Sequence, residues 1–145
     1  MNTYTTMEVA KIIDIHPNTV RMYEEWGLIE KAKRKENEYR IFTDIHIDQF
    51  ALAKKAFQIE VLQAGLRKRI IEVIKLVANH QMNKAQTILE EYIKIAANEI
   101  ENAKEAETLS RKFFEKDTKD TTTWKRAEAA KELLAMIREM NRKYF

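Results

Sequence analysis

Cysteine is absent from the 145 residues. A disulfide framework, a thiolate metal site and a redox thiol are therefore excluded. Glycine occurs twice and proline once. So few turn-formers, beside many Ala, Glu, Lys, Ile and Leu, exclude a sandwich or a doubly wound sheet and argue for long helices. No apolar run is long enough to span a bilayer, and the N-terminus lacks a signal-peptide pattern, so the expected location is cytoplasmic. Charge of one sign is also missing: 26 basic residues face 23 acidic ones, a net charge of +3. Any basic patch must be local.

Catalytic constellations are missing too. No carboxylate pair, nucleophile–base set or phosphate loop stands out, and His16, His46 and His80 are scattered without ligand or catalytic spacing. The expectation is a protein that is not an enzyme and has no metal site or cofactor.

What is present is helical punctuation. Thr5-Thr6-Met7-Glu8 reads as a capping box, with Tyr4 and Val9 at staple positions. A helix is expected from Thr6 to Ile13, with Val9, Ile12 and Ile13 inward. Asp14-Ile15-His16 makes a turn. Pro17 suits the first position of a second helix that runs to Trp26 and stops at Gly27. Two short helices joined by three residues have the spacing of a helix-turn-helix. His16 is expected at a cap.

Beyond Gly27, Leu28-Ile29 reads as a short strand, EKAKRKENE as a basic arm and YRIF as a second strand, together a small hairpin. Thr43 is a plausible N-cap for a helix over 44–59, with Ile47, Phe50, Ala53, Ala56 and Phe57 buried. Gly65 breaks the pattern. A helix over 66–78 follows, with Leu66, Ile70, Ile74 and Val77 on one side.

From Asn83 to Lys116 there is neither Gly nor Pro, and a continuous helix would be about 50 Å long at ~1.5 Å per residue. Leu89, Ile93, Ala96, Ile100 and Ala103 step by 4, 3, 4 and 3, a coiled-coil rhythm. Glu90 and Lys94 could pair across one turn. DTKDTTT (117–123) is a polar break. A last amphipathic helix from Trp124 to Tyr144 carries Ala130, Leu133, Ile137, Met140 and Tyr144 on one stripe. The chain is thus expected to be mainly α in three parts: a winged helix-turn-helix unit over 1–80, a long coiled-coil dimerisation helix over 81–116, and a helical tail over 117–145 for packing or an effector.

In a helix-turn-helix the second helix enters the major groove, and its N-terminal residues reach base edges. Here those are Asn18 and Thr19, with Arg21 behind them and Val20 turned inward. Asn suits adenine, and Arg suits guanine or a phosphate. Tyr23 can donate its hydroxyl to a phosphate while its ring packs. Lys31, Lys33, Arg34, Lys35 and Arg40 supply cations for the DNA backbone or minor groove.

At these residues the sequence resembles the MerR family of transcription regulators. YTTMEVAKIIDIHPNTVRMYEEWGLI followed by ENEYRIFT carries the likeness, which extends over roughly 4–80. The resemblance implies a homodimer whose long helices hold two winged units on a pseudo-palindromic promoter. It also implies bending or untwisting of that DNA so that RNA polymerase can engage. By position, Arg21, Tyr23 and Arg40 would grip phosphates, Asn18 and Thr19 would face bases, and Tyr39 would brace the wing or contact the DNA backbone. A small-molecule effector is compatible with the family, but no residue here specifies one.

Three departures stand out. Met22 replaces the first of two adjacent aromatics. Asn37-Glu38 replaces Asn-Gly at the wing turn. The absence of cysteine removes the family's thiolate sensing. Two other readings compete: an excisionase-like factor that bends DNA without controlling transcription, and a helical adaptor whose 83–145 region binds a protein partner.

Overall fold

The computed structural model describes the backbone of residues 2–60, 67–114 and 121–145. Among these, side chains are described except at 58–60, 67, 68, 99, 100, 102–114 and 121–126. The order is β1 (Thr3–Tyr4), α1 (Thr6–Ile13), α2 (Pro17–Glu25), β2 (Lys33–Arg34), β3 (Arg40–Thr43), α3 (Asp44–Glu60), α4 (Arg67–Ala78), α5 (Met82–Phe114) and α6 (Thr121–Tyr144). The fold is mainly α, with a helix-turn-helix followed by long helices.

The expected caps form. The Thr5 side chain accepts from the Glu8 N–H, and the Glu8 carboxylate accepts from the Thr5 N–H. His16 caps α2, its Nδ1 accepting from the Asn18 N–H at 3.0 Å. Past the end of α2, Gly27 takes φ +73°. The Leu28 N–H then reaches the Tyr23 carbonyl and the Gly27 N–H the Glu24 carbonyl, the two bonds of a Schellman motif. α4 ends the same way: His80 sits at φ +62°, with Gln81 N–H on the Leu76 carbonyl and His80 N–H on the Val77 carbonyl. Asp14 holds the corresponding left-handed position after α1. A glycine-poor chain thus ends three helices with one glycine, one aspartate and one histidine.

Leu28 and Ile29 are buried but form no strand, and the Leu28 N–H instead closes the helix-ending turn. The sheet instead has the order β1-β3-β2, all antiparallel. Tyr4 pairs with Phe42, and Arg34 with Arg40. Ile12 also departs from expectation. It is 53% exposed, and Ala10 takes the inward place beside Val9 and Ile13. The last helix begins at Thr121, three residues before the expected Trp124. Gly65, Leu66 and residues 117–120 of the polar break lie outside the described residues.

One apolar cluster runs from the helix-turn-helix to the last helix. Val9, Val20, Phe42 and Phe50 fill its N-terminal part. Its C-terminal part joins Leu89, Tyr92 and Ala96 of α5 to Leu133, Ile137 and Met140 of α6. α5 therefore packs lengthwise on α6 of its own chain, and α6 also packs on α3. Polar contacts run along this seam. Glu90 meets Arg138 of α6 at 3.1 Å, a partner on another helix where an i,i+4 Lys94 was expected. The Tyr144 hydroxyl donates to the Asp48 carboxylate of α3 at 2.5 Å. Burial, followed by the Asp48 hydrogen bond, pushes the Tyr144 hydroxyl pKa up to about 12.

Candidate nucleic-acid interface

α2 has two faces. Val20, Tyr23 and Glu24 are buried, whereas Asn18, Arg21 and Glu25 are exposed and Thr19 is half-buried. Val20 ties the helix to the core. The Tyr23 ring stacks on Phe50 at 6.1 Å and tilts against Phe57 at 5.5 Å. On the outer face, Arg21 Nη1 donates to Asn18 Oδ1 at 2.7 Å. That bond holds a planar guanidinium beside a side-chain amide, one turn along an exposed helix. Both groups suit base edges or phosphates. Met22 packs partly buried against the core, so the departure at this position leaves the outer face unchanged.

The wing is the hairpin of β2 and β3. Its turn is closed by the Lys35 N–H on the Tyr39 carbonyl and the Glu38 N–H on the Lys35 carbonyl, both at 2.9 Å. Glu38 sits at φ +68°, the left-handed conformation that glycine adopts without strain. Asn37 Oδ1 accepts from the Tyr39 N–H at 3.3 Å and braces the turn. Lys31, Lys33, Lys35 and Tyr39 are all exposed, Tyr39 at 70%.

Between helix and wing lies Glu24, a residue that the sequence reading did not single out. Its carboxylate is 6% exposed as a residue and takes three partners. Arg40 Nε donates at 2.7 Å, the Ala32 N–H at 2.9 Å, and Arg34 Nη2 lies 3.6 Å away. Burial disfavours the charged form. The Arg40 and Ala32 hydrogen bonds, with the charges of Arg40 and Arg34, outweigh it and hold the carboxyl below its ordinary range. Arg34 also donates across the hairpin to the Glu38 carbonyl at 3.1 Å.

The expected DNA contacts therefore divide. Asn18, Thr19, Arg21, Lys33, Lys35 and Tyr39 lie on the outer surface, fully or in part. Arg34 is half-exposed and leans on Glu24. Tyr23 and Arg40 point inward, the first into an aromatic cluster and the second onto Glu24. The signal for Glu24 is a charged residue four positions after Val20, on the inner face of an amphipathic helix.

Two further polar residues support the wing from α3. Gln49 Oε1 accepts from the Glu30 N–H at 2.8 Å. His46 Nδ1 accepts from the Thr43 N–H at 3.0 Å, so an imidazole fills the place of the capping-box glutamate at the start of α3. Burial pushes the His46 pKa down.

The α5 stripe divides as well. Leu89 and Ala96 are buried within the chain, in the cluster that α5 shares with α4 and α6, and Ile93 is half-buried. Ile100 and Ala103 lie outside the described side chains. A neighbouring stripe stays open: Lys84, Thr87, Ile88 and Glu91 line a groove with Leu76 of α4, and Ile95 beyond it is exposed.

Comparison with known proteins locates the family in this N-terminal unit. Residues 4–68 match the model of the MerR HTH family regulatory proteins. The HTH-type transcriptional regulator CueR of Escherichia coli O6:H1, and that of Escherichia coli O157:H7, are each 38% identical to the chain over 52 residues. CueR of Salmonella typhi is 36% identical over the same length. Each match covers 36% of this chain and 38% of the relative, so little more than a third of either protein is compared. No solved structure matches the chain. The matched segment contains α1, α2, the wing and α3, and in this segment the chain is similar to the MerR HTH family of regulatory proteins.

Proposed function

We propose that the chain is a sequence-specific DNA-binding transcription regulator. One observation carries this reading: the hydrogen-bonded Asn18–Arg21 pair lies on the exposed face of a helix to which a basic wing is fixed. α2 enters the major groove, with Asn18 and Thr19 toward base edges and Arg21 toward a phosphate or guanine. Lys33, Arg34 and Lys35 meet the flanking backbone, and Tyr39 braces or touches it at the wing tip. Such a protein acts on chromosomal DNA in the cytoplasm. Relatives that share the N-terminal unit carry the name of transcriptional regulator, which supports the assignment to promoters and to RNA polymerase as the machine affected.

We further propose a homodimer, because one helix-turn-helix covers too little DNA for promoter specificity and paired units read paired half-sites. Leu89 and Ala96 are already buried inside the chain, so α5 offers its open stripe of Thr87, Ile88, Glu91 and Ile95. Antiparallel pairing about a twofold near Ile88 sets Lys84 of each copy toward Glu91 of the other, a self-complementary arrangement. Two units held apart in this way bend or untwist the DNA between half-sites. An effector, if used, is not specified by the described residues.

Footprinting across candidate promoters tests the reading. A symmetric protected site is expected, and absence of binding at low salt refutes it. Unchanged transcription from a bound promoter would favour the excisionase-like alternative.

A further inference from the structure

The two faces of α2 serve one surface. Outward, Asn18 and Arg21 are exposed at the groove-facing end. Inward, Glu24 meets the Ala32 N–H just before β2, Arg34 on β2 and Arg40 on β3. One carboxylate thus ties the reading helix to three separated points of the wing, enough to set a direction as well as a distance. Arg40 has its side chain only 14% exposed, while Lys33 and Lys35 on the same hairpin are exposed. Lys33 and Lys35 can therefore meet DNA while Arg40 holds the wing, and Arg34, paired with Glu24 yet 44% exposed, stands between the two roles.

We infer that Glu24 is a positioning residue for DNA binding: it sets the angle between the reading helix and the wing. Arg40 is the inner strut of that joint rather than a phosphate contact. The inference rests on the DNA-binding reading above. It also opposes simple charge reasoning. A carboxylate close to a polyanion weakens binding by repulsion, so its removal should strengthen binding. If Glu24 positions the wing, removal does the reverse. Arg40 and Arg34 lose their shared anion, the Ala32 N–H loses its acceptor, and Lys33 and Lys35 no longer fall in register with the backbone beside the groove.

The experiment measures affinity of the full chain for its footprinted site at several salt concentrations. It compares the wild type with Glu24→Gln, Glu24→Ala, Glu24→Asp and Arg40→Gln, each checked for cooperative thermal unfolding. Glu24→Gln and Glu24→Ala are expected to bind at least about tenfold more weakly, with a shallower salt dependence, because several wing contacts worth ~0.9 each in slope are lost together. Glu24→Asp should recover part of both. Arg40→Gln should match Glu24→Gln in size and slope. Tighter binding by a folded Glu24 variant, or an unchanged slope, overturns the inference. So does an Arg40→Gln slope reduced by a single contact while the Glu24 variants bind normally.

Should Glu24→Ala fail to fold, the near-isosteric Glu24→Gln carries the test. In the free protein, exchange of the Ala32 amide reads the joint directly and should speed up in Glu24→Gln. Unchanged Ala32 exchange overturns the joint itself. A wild type that binds no DNA while Ala32 exchange still responds overturns the DNA-binding reading instead.

Discussion

The His80 imidazole lies 2.5 Å from the Glu30 carboxylate, joining the turn between α4 and α5 to the segment that leads into the wing. The same ring lies 4.9 Å from the Phe145 ring. His80 also occupies a left-handed backbone position. Two separable terms therefore act at one residue. His80→Ala should cost about 1–2 kcal/mol in urea unfolding, combining loss of an exposed pair with alanine's poorer tolerance of positive φ than histidine's. His80→Asn should recover the strain share, since asparagine tolerates that conformation. Equal losses in both variants would show that the pair, and not the turn, dominates.

Asn18 and Arg21 are joined by a hydrogen bond but differ in expected effect. Arg21→Ala should weaken binding to all duplexes and lower the salt slope by about 1 if its guanidinium sits on a phosphate. Asn18→Ala should change base preference, by about 1–3 kcal/mol at one position if it pairs with a base. A binding-site selection with each variant checks this, and the reverse pattern would exchange the roles.

Glu24 and His46 also predict a pH dependence, and both act in the same direction. The Glu24 carboxyl is held below its ordinary value of 4.5 in the fold. Its contribution is complete above that value and is lost as pH falls through the lowered folded value. His46 is held below its ordinary 6.5 by burial. Protonation therefore favours the unfolded chain once pH falls below about that value. Stability of the wild type should drop from pH 7 to 5 more than that of His46→Gln, which keeps an acceptor for the Thr43 N–H. Below pH 4.5 the excess loss should shrink in Glu24→Gln. Urea midpoints at each pH measure both, and parallel curves for wild type and variants would refute the assignments.

Much of this architecture can be read from side-chain chemistry alone, and the exceptions have physical causes. Thr5 with Glu8, Pro17 and Gly27 mark helix ends because each satisfies or forgoes a terminal hydrogen bond in a recognisable way. Asp14, Glu38 and His80 take glycine-like conformations without advertising them, since their side chains are ordinary and tertiary packing imposes the angle. Two-residue strands such as Thr3–Tyr4 and Lys33–Arg34 are too short to show alternation. The buried Leu28-Ile29 pair looks like a strand only until the helix-ending turn claims the Leu28 N–H. Glu24 needs partners 8, 10 and 16 positions away before its burial makes sense. The heptad rhythm of α5 reveals an apolar seam but not which helix fills it.

That last ambiguity yields a discriminating measurement. Leu89 is buried in the cluster shared with Leu133 and Ile137 of α6 in the same chain. Leu89→Ala should cost about 2–4 kcal/mol from lost contacts and the cavity left behind. Because the partners lie in the same chain, the loss should not depend on protein concentration. Were Leu89 instead a seam between two copies, the unfolding midpoint would move with concentration and the variant would dissociate first. Ile88→Asp, on the open stripe, should behave in the opposite way. Ile88 is half-buried against its own core, so the monomer should lose a little stability, while a charge that a second copy would bury should dissociate the dimer. Sedimentation and urea unfolding at two protein concentrations separate the cases. A dimer lost by Leu89→Ala and retained by Ile88→Asp would move the interface back to the heptad seam and require α6 to leave it.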